Sequence, residues 1–290
     1  MNWPPLLALL ASLGFALGHV FLKRGLQYMR PVTATLVSLS VTGLFIWGLA
    51  AVSIPLSVLL TPKVLPFMVA GVVAPGFARL ALFVGVDRVG VSRAAPMTAT
   101  APLFAVVIAM TVLGERPGAL VLVGATCIVG GGALLSARGL TDRAWRRRDL
   151  IFPLLAALGF AVRDNITRFG FREFHEPLAA AAMATLTSLF VMWGFAGVQP
   201  GWSRLSFNRA GVLVVAFSGL CEGLAYLCML RALSTGSVSV VSPLINGQPI
   251  FVLGLTAIFL RDLERVTWRI TVASALMVAG IVLVVLSRSA

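Results

Sequence analysis

The chain has 290 residues, of which 59% are hydrophobic and only 11% are charged. Average soluble domains are about 45–50% apolar and about 25% charged, so this composition excludes a soluble globular domain, a disordered chain and a coiled coil. The apolar excess runs along the whole chain and does not alternate with polar residues, which argues against an outer-membrane barrel. The remaining class is an all-α, polytopic membrane protein.

The formal net charge is +13, from 23 Lys and Arg against 10 Asp and Glu. The basic residues lie mostly between apolar runs, so anionic lipid headgroups explain them better than nucleic acid does. Cys127, Cys221 and Cys228 all fall inside apolar runs and form no CxxC pair. We therefore expect packing cysteines, no metal site and no cofactor.

Ten apolar runs are long enough to span the bilayer, which takes about 20 residues. They lie at 4–22, 31–52, 64–86, 91–113, 118–137, 150–170, 177–198, 209–231, 236–260 and 267–287. The first run follows no basic residue, so it does not resemble a secretory signal. The longest connection, 138–149, is too short for a soluble domain, so any activity must lie within or between the helices.

The two halves of the chain repeat each other. The sequence Leu-Gly-Phe-Ala at 13–16 returns at 158–161, and Pro96 and Pro102 of the fourth run return as Pro243 and Pro249 of the ninth. This predicts a first five-helix repeat at 1–137, a basic connection at 138–149 and a second repeat at 150–290. An odd helix count inverts the second copy, and inverted repeats are typical of transporters with a site near the bilayer midplane.

Three features resemble the EamA domain of the drug/metabolite transporter superfamily. They are Lys23 at the end of the first helix, a Pro-punctuated fourth helix running into Leu-Gly-Glu-Arg at 113–116, and the glycines at 130–132. The second copy departs from the pattern, with Leu-Arg-Asp-Leu-Glu at 260–264. The resemblance implies an integral protein of the cytoplasmic (inner) membrane and a secondary transporter.

Orientation follows from the basic residues of the loops. Loops after odd-numbered helices carry 15 Lys and Arg, whereas the other loops and both tails carry 6. Positive charge stays in the cytoplasm, so this count places the odd-numbered loops inside and both termini outside. The resemblance implies the opposite, with both termini in the cytoplasm.

Ionisable residues inside a membrane helix are costly and mark candidate functional positions. Glu222, in the middle of the eighth run, is a candidate proton or cation site, or the structural partner of a buried arginine. Arg79, in the third run, either binds a carboxylate or phosphate group or pairs with Glu222. Pro75 lies one turn earlier and is expected to open that helix, and Tyr226 is the repeat equivalent of Arg79.

The sixth run contains three further charged residues. Asp164 and Arg168 stand four residues apart, so we expect them to pair on one face, with Arg163 pointing elsewhere. Both arginines have an alternative role as interfacial anchors. His19 is the repeat equivalent of Asp164, which makes it a second candidate for titration.

The ninth run has two prolines six residues apart with Asn246 and Gln248 between them, and the fourth run carries Thr98 in the matching region. The proline pattern predicts broken helices or, alternatively, kinked packing helices.

We expect helices 1, 3, 4, 6, 8 and 9 to line a central cavity, and helices 2, 5, 7 and 10 to be almost bare of polar groups. The expected substrate-binding set is Arg79, Glu222, Tyr226, Arg163, Asn246, Gln248, Thr98, Trp47 and Trp193, and the expected proton-coupling set is Glu222, Asp164 and His19.

These features favour a secondary transporter that moves a small polar metabolite, an amino acid or a related zwitterion or anion, by alternating access, as an exporter. Its partners would be the substrate, the bilayer and protons, and it would act as a monomer or homodimer. Transport of organic cations or drugs is the alternative, and a channel or a non-transporting scaffold is a different class. An enzyme is not expected, because His19 and His175 alone cannot form a metal site, and no Walker loop supports an ATP-driven pump.

The charge count predicts which loops an impermeant thiol reagent reaches. In a background without the native cysteines, a cysteine at Ser136 or Thr141 should resist the reagent applied outside intact cells, because this connection is expected in the cytoplasm. A cysteine at Lys63, in an even-numbered loop, should react. The reverse labelling pattern would support the orientation that the resemblance implies.

Overall fold

The computed structural model describes residues 3–25, 27–89, 97–98, 100–136, 147–198, 207–248, 250–251, 254–255 and 268–287. Helices joined by short connections make up nearly all of these residues, and no strand occurs among them. Pro96, Pro249, Glu264 and most of the 138–149 connection lie outside the described residues.

The helices follow the predicted apolar runs. Their bounds are α1 Pro4–Gly25, α2 Pro31–Ser53, α5 Ala119–Ser136, α6 Ile151–Gly170, α7 Pro177–Val198, α8 Arg209–Thr235, α9 Val238–Asn246 and α10 Trp268–Leu286. Helix α3 is built from Leu65–Gly71, Val72–Phe77 and Ala78–Val89, and α4 from Ala101–Ile108 and Ala109–Leu113. Short helical turns occur at Leu56–Leu59, Pro62–Val64 and Arg147–Leu150.

Five described helices, α1, α2, α6, α7 and α8, are long and apolar enough to cross a bilayer, and several shorter apolar helices accompany them. Pro31 and Pro177 begin α2 and α7, where the missing N–H of proline costs no hydrogen bond. The Asn208 side chain accepts a hydrogen bond from the Ala210 amide and starts α8. The fold is thus a polytopic, all-helical membrane fold, and the count of ten spans stays a prediction.

The helix contacts relate the two halves. Helix α1 packs on α8 as α6 packs on α3, α2 packs on α8 as α7 packs on α3, and α1 packs on α9 as α6 packs on α4. Helices α5 and α10, which are equivalent, pack on each other. A pseudo-twofold axis that exchanges the repeats produces this pattern.

The repeat-equivalent helices α2 and α7 run antiparallel. Trp47, late in α2, donates a hydrogen bond to the carbonyl of Ala182, early in α7. Trp193, late in α7, donates to the hydroxyl of Ser40, nearer the start of α2. Two equivalent helices that cross in opposite directions are the relation expected of an inverted repeat.

The repeated Leu-Gly-Phe-Ala sequence marks two close helix crossings. A Cβ atom on Gly14 of α1 would lie 2.8 Å from the Ala225 Cβ of α8. A Cβ on Gly159 of α6 would lie 2.8 Å from the Ala78 Cβ of α3. The two contacts are equivalent in the repeat, so the glycine recurs because both crossings need a residue without a side chain.

Three helices are interrupted near the middle of the fold. Helix α3 contains a widened turn at Val72–Phe77, where Ala74 leaves the helical region with φ −154° and ψ 133°. Pro75, which lacks an N–H, follows directly, so the expected opening is present. Helix α4 starts after a turn at Thr100 and α9 ends at Gly247. Thr100 and Gly247 are repeat equivalents, and this favours the broken-helix interpretation.

The packing of α5 on α10 generates a stability prediction. A Cβ on Gly280 would lie 2.6 Å from the Gly124 carbonyl oxygen and 2.9 Å from the Ile128 amide nitrogen. Gly280→Ala should therefore destabilise the fold by about 1–3 kcal/mol, since backbone cannot move aside cheaply. The readout is the apparent Tm in detergent.

Gly48→Ala is the matched control, because nothing lies within 4 Å of a Cβ at that position of α2. It should leave the apparent Tm unchanged or slightly raised, as alanine favours helix. Equal Tm values for both variants would contradict the close crossing.

Candidate functional site

Arg79 of α3 and Glu222 of α8 meet between the two halves. Their closest atoms, Nη2 and Oε2, are 3.8 Å apart, and the side chains are 20% and 6% exposed. The Ser38 hydroxyl donates a 2.8 Å hydrogen bond to Oε2. Glu222 Oε1 is buried and has no hydrogen-bond partner in the described part of the chain. The expected pair is therefore present, but it is loosely engaged.

The contact with Ser38 corrects the expectation that α2 and α7 are almost bare of polar groups. Buried hydroxyl residues line both helices, namely Thr33, Thr35, Ser38 and Thr42 in α2, and Thr185 and Ser188 in α7. Thr42 donates to the Gly219 carbonyl at 2.7 Å and Ser188 donates to the Gly71 carbonyl at 2.8 Å. The expectation was wrong because it weighed charges and overlooked hydroxyls, which bond to helix carbonyls across close crossings.

His19 of α1 connects the pair to the segment that follows α9. Its Nδ1 atom is hydrogen-bonded to Nε2 of Gln248, and the ring lies within electrostatic range of Glu222 and Arg79. Although His19 lies within α1 and faces these helices, its side chain keeps an exposed surface. His19, Arg79, Glu222 and Gln248 thus form one cluster, which we call the central polar cluster.

Asp164 and Arg163 form a second pair in α6, which is tight. Arg163 Nε and Nη2 donate to Asp164 Oδ1 at 2.9 and 2.7 Å, and the Ser242 hydroxyl of α9 donates to Oδ2 at 2.9 Å. Both carboxylate oxygens are therefore engaged. Tyr226 of α8 lies within electrostatic range of this pair, but its buried hydroxyl makes no hydrogen bond among the described residues.

The predicted pairing of Asp164 with Arg168 is wrong. Arg168 Nη1 donates instead to the carbonyls of Leu233 and Ser234, at 3.1 and 3.0 Å, at the end of α8. The last carbonyls of a helix have no partner inside the helix and attract a cation. These carbonyls bind Arg168 in place of Asp164. Asp164 is instead bound by Arg163, the residue next to it in the chain.

Glu115 of the Leu-Gly-Glu-Arg sequence caps the start of α9. Its carboxylate accepts hydrogen bonds from the Val238 amide at 2.8 Å, the Ser239 amide at 2.9 Å and the Ser239 hydroxyl at 2.5 Å. Gly114 makes this possible, because its φ of +70° ends α4 in a left-handed turn that favours glycine. Sequence reasoning identified the motif but not its role, since its partner lies in the other half.

Arg172 completes the contacts at this end of the molecule. Its Nη2 donates to the Leu113 carbonyl, the last residue of α4, at 2.7 Å. Arg168 lies within electrostatic range of Glu115 and Arg172. We call Glu115, Arg168 and Arg172 the polar clasp. It joins the halves in both directions, because Glu115 reaches from the first to the second and Arg172 reaches back.

The remaining predicted residues have contacts outside the two ion pairs. Asn246 Nδ2 donates to the Ser242 carbonyl of its own helix, and the indoles of Trp47 and Trp193 bond between α2 and α7. Thr98 is half-buried ahead of the break in α4. Among the described residues, no cluster of His, Cys, Asp or Glu could hold a metal ion.

The clasp predicts a stability effect at Glu115. Glu115→Ala removes the acceptor of three hydrogen bonds and leaves the first amides of α9 unpaired, so the free energy of unfolding should fall by about 1–3 kcal/mol. The apparent Tm in detergent measures it. Glu173→Ala removes an exposed carboxylate at the same end and should behave like the wild type. An unchanged Tm for Glu115→Ala would contradict the capping role.

The comparisons with known proteins agree with this architecture. A protein of known crystal structure superposes with a TM-score of 0.83, covering 99% of this chain and 98% of that chain at 17% identity, and so shares its fold. No curated protein matches the sequence significantly. The pattern of the EamA-like transporter family matches residues 2–137 and 148–286. This chain therefore belongs to the EamA-like transporter family and is a membrane transporter of the drug/metabolite superfamily.

Proposed function

We propose that the protein is a secondary transporter that moves a small polar metabolite, an amino acid or a related zwitterion or anion, across the cytoplasmic membrane by alternating access. The observation that carries the proposal is the Arg79–Glu222 pair. Its carboxylate is buried and its guanidinium side chain is half-buried between helices of opposite halves, yet its closest atoms are 3.8 Å apart. Charges at such a position are costly to maintain and are typical of a substrate site at a repeat interface.

Alternating access requires one end of the molecule to close while the other opens. The clasp end is densely packed, with Leu230, Leu233, Val238 and Leu244 fully buried. Within the central polar cluster, in contrast, His19 keeps an exposed surface. This difference supports a state closed at the clasp, in which release of Glu115 from α9 would start the opening of that end.

Glu222 is the first candidate for proton coupling. One of its oxygens, Oε1, has no partner among the described residues, so protonation there disrupts no existing hydrogen bond. His19 comes next, because it lies within electrostatic range of Glu222. Asp164 is less available, since Arg163 and Ser242 occupy both of its oxygens.

Purified protein in proteoliposomes tests the function. Amino acids, nucleosides and organic cations are offered with and without a pH gradient, and in vesicles of both orientations to test for export. Saturable, gradient-driven accumulation of an amino acid or related solute is expected. Selective uptake of organic cations would support the alternative substrate class. Unsaturable flux would indicate a channel, and no flux of any solute a scaffold.

Glu222→Gln tests the coupling in the same vesicles. Glutamine keeps the shape and one oxygen acceptor but cannot titrate, so substrate exchange should persist with a raised half-saturation concentration, while accumulation driven by the pH gradient should be lost. Glu173→Gln is the control and should keep both activities. Unaltered accumulation would move the coupling to His19 or Asp164, and loss of folded protein would mark Glu222 as the structural partner of Arg79.

A further inference from the structure

The Arg163–Asp164 and Arg79–Glu222 ion pairs differ in how many of their atoms form hydrogen bonds. In the Arg163–Asp164 pair, nitrogen and oxygen atoms are 2.7 and 2.9 Å apart, within the usual range for charged hydrogen bonds. In the Arg79–Glu222 pair the closest approach is 3.8 Å, which is too long for a hydrogen bond. Among the described residues, both oxygens of Asp164 are therefore engaged, whereas Glu222 Oε1 has no partner and no hydrogen bond joins Glu222 to Arg79.

Arg79 supplies the available donors. A guanidinium has five N–H groups arranged as a planar fork that matches a carboxylate. Within the described part of the chain, the only contact of this guanidinium with an acid is the long approach to Glu222. Its side chain is 20% exposed, so its neighbours do not cover it completely.

Two buried groups of α8 supply the available acceptors. Glu222 Oε1 and the Tyr226 hydroxyl make no hydrogen bond among the described residues, and both side chains are more than nine-tenths buried. The two residues are four positions apart, so they lie on one face of α8, one turn from each other. Polar groups buried in a membrane interior without partners are unfavourable, and a ligand that donates to both relieves this.

The repeat does not provide a second copy of this arrangement. The repeat equivalent of Arg79 is Tyr226, and that of Glu222 is Pro75. Donors therefore lie on the α3 side and acceptors on the α8 side. A ligand that bonds to the donors of α3 and to the acceptors of α8 needs two chemically different ends.

We infer that the central polar cluster, together with Tyr226, binds a zwitterion with a primary amine, its carboxylate on the Arg79 guanidinium and its ammonium between Glu222 Oε1 and the Tyr226 hydroxyl. This inference rests on the proposed transport function and selects one of its substrate classes. A simple anion leaves Glu222 Oε1 without a hydrogen-bond donor and adds negative charge beside Glu222. A simple cation leaves the Arg79 guanidinium without an acceptor. A zwitterion meets both without changing the net charge of the buried site.

Binding to the full-length protein in detergent tests the assignment without transport. Each of the twenty standard amino acids is titrated, and the tightest is compared with its carboxylate lacking the amine, its amine lacking the carboxylate and its N-trimethyl derivative. We expect the amino acid to bind at least tenfold more tightly than each analogue, because each analogue loses a charged hydrogen bond.

Tyr226→Phe is the variant that best separates a loss of binding from a loss of stability. Its hydroxyl has no partner in the described chain, so removal should leave the apparent Tm of the unliganded protein unchanged but weaken amino acid binding about tenfold or more. Arg79→Lys should weaken binding of the amino acid and of the carboxylate analogue alike. Ser12→Ala, which removes another buried, unpartnered hydroxyl, is the control and should bind as the wild type.

Three results would overturn the inference: no binding by any of the twenty amino acids, equal binding of the analogue without an amine, or an unchanged affinity in Tyr226→Phe. A failure of the proposed transport function gives a different result from a failure of the zwitterion site. If the vesicles accumulate another solute while amino acids do not bind, transport stands and the zwitterion site is wrong. If no solute moves at all, the transport proposal itself fails.

Discussion

The structure depends on one constraint, which is that a polar group inside a bilayer must find its partner within the protein. Most such groups have one. Glu115 takes the free amides at the start of α9 and Arg168 takes the free carbonyls at the end of α8. Asp164 is held by its neighbour and by α9. Seven buried side-chain atoms of the described residues have no hydrogen-bond partner, and they belong to Ser12, Thr33, Asn165, Thr167, Glu222, Tyr226 and Ser274. Among them, only Glu222 carries a carboxylate, and it lies at the interface of the two halves.

Much of this arrangement could be predicted from the sequence. The apolar runs predicted where the helices lie, because the hydropathy of a segment depends only on the residues within that segment. The repeated offsets identified the equivalent helices, and through them the interrupted segments around Thr100 and Gly247. The same offsets brought Arg79 and Glu222 to one interface, since α3 and α8 occupy equivalent places in the two repeats. These predictions succeeded where a local pattern or an internal symmetry carried the information.

Other contacts could not be predicted, because their partners depend on how helices cross. The pairing of Asp164 with Arg168 followed a rule for neighbours on a single helix, but the carbonyls that bind Arg168 belong to α8. Ser38 was overlooked because a serine in an apolar run does not show whether it faces a carboxylate. Glu115 belonged to a recognised motif, yet its cap joins it to a residue 123 positions further along the chain.

The substitution of Pro75 for Glu222 across the repeat has an energetic consequence. If the halves were identical, a twofold rotation would relate the two states of the proposed alternating-access cycle, one open to each side of the membrane, and both would be equally populated without a gradient. A bent helix in one half and a carboxylate in the other remove that degeneracy. In the proposed alternating-access cycle, this asymmetry gives the protein a preferred resting state, so the driving gradient supplies free energy against that preference during one half of each cycle.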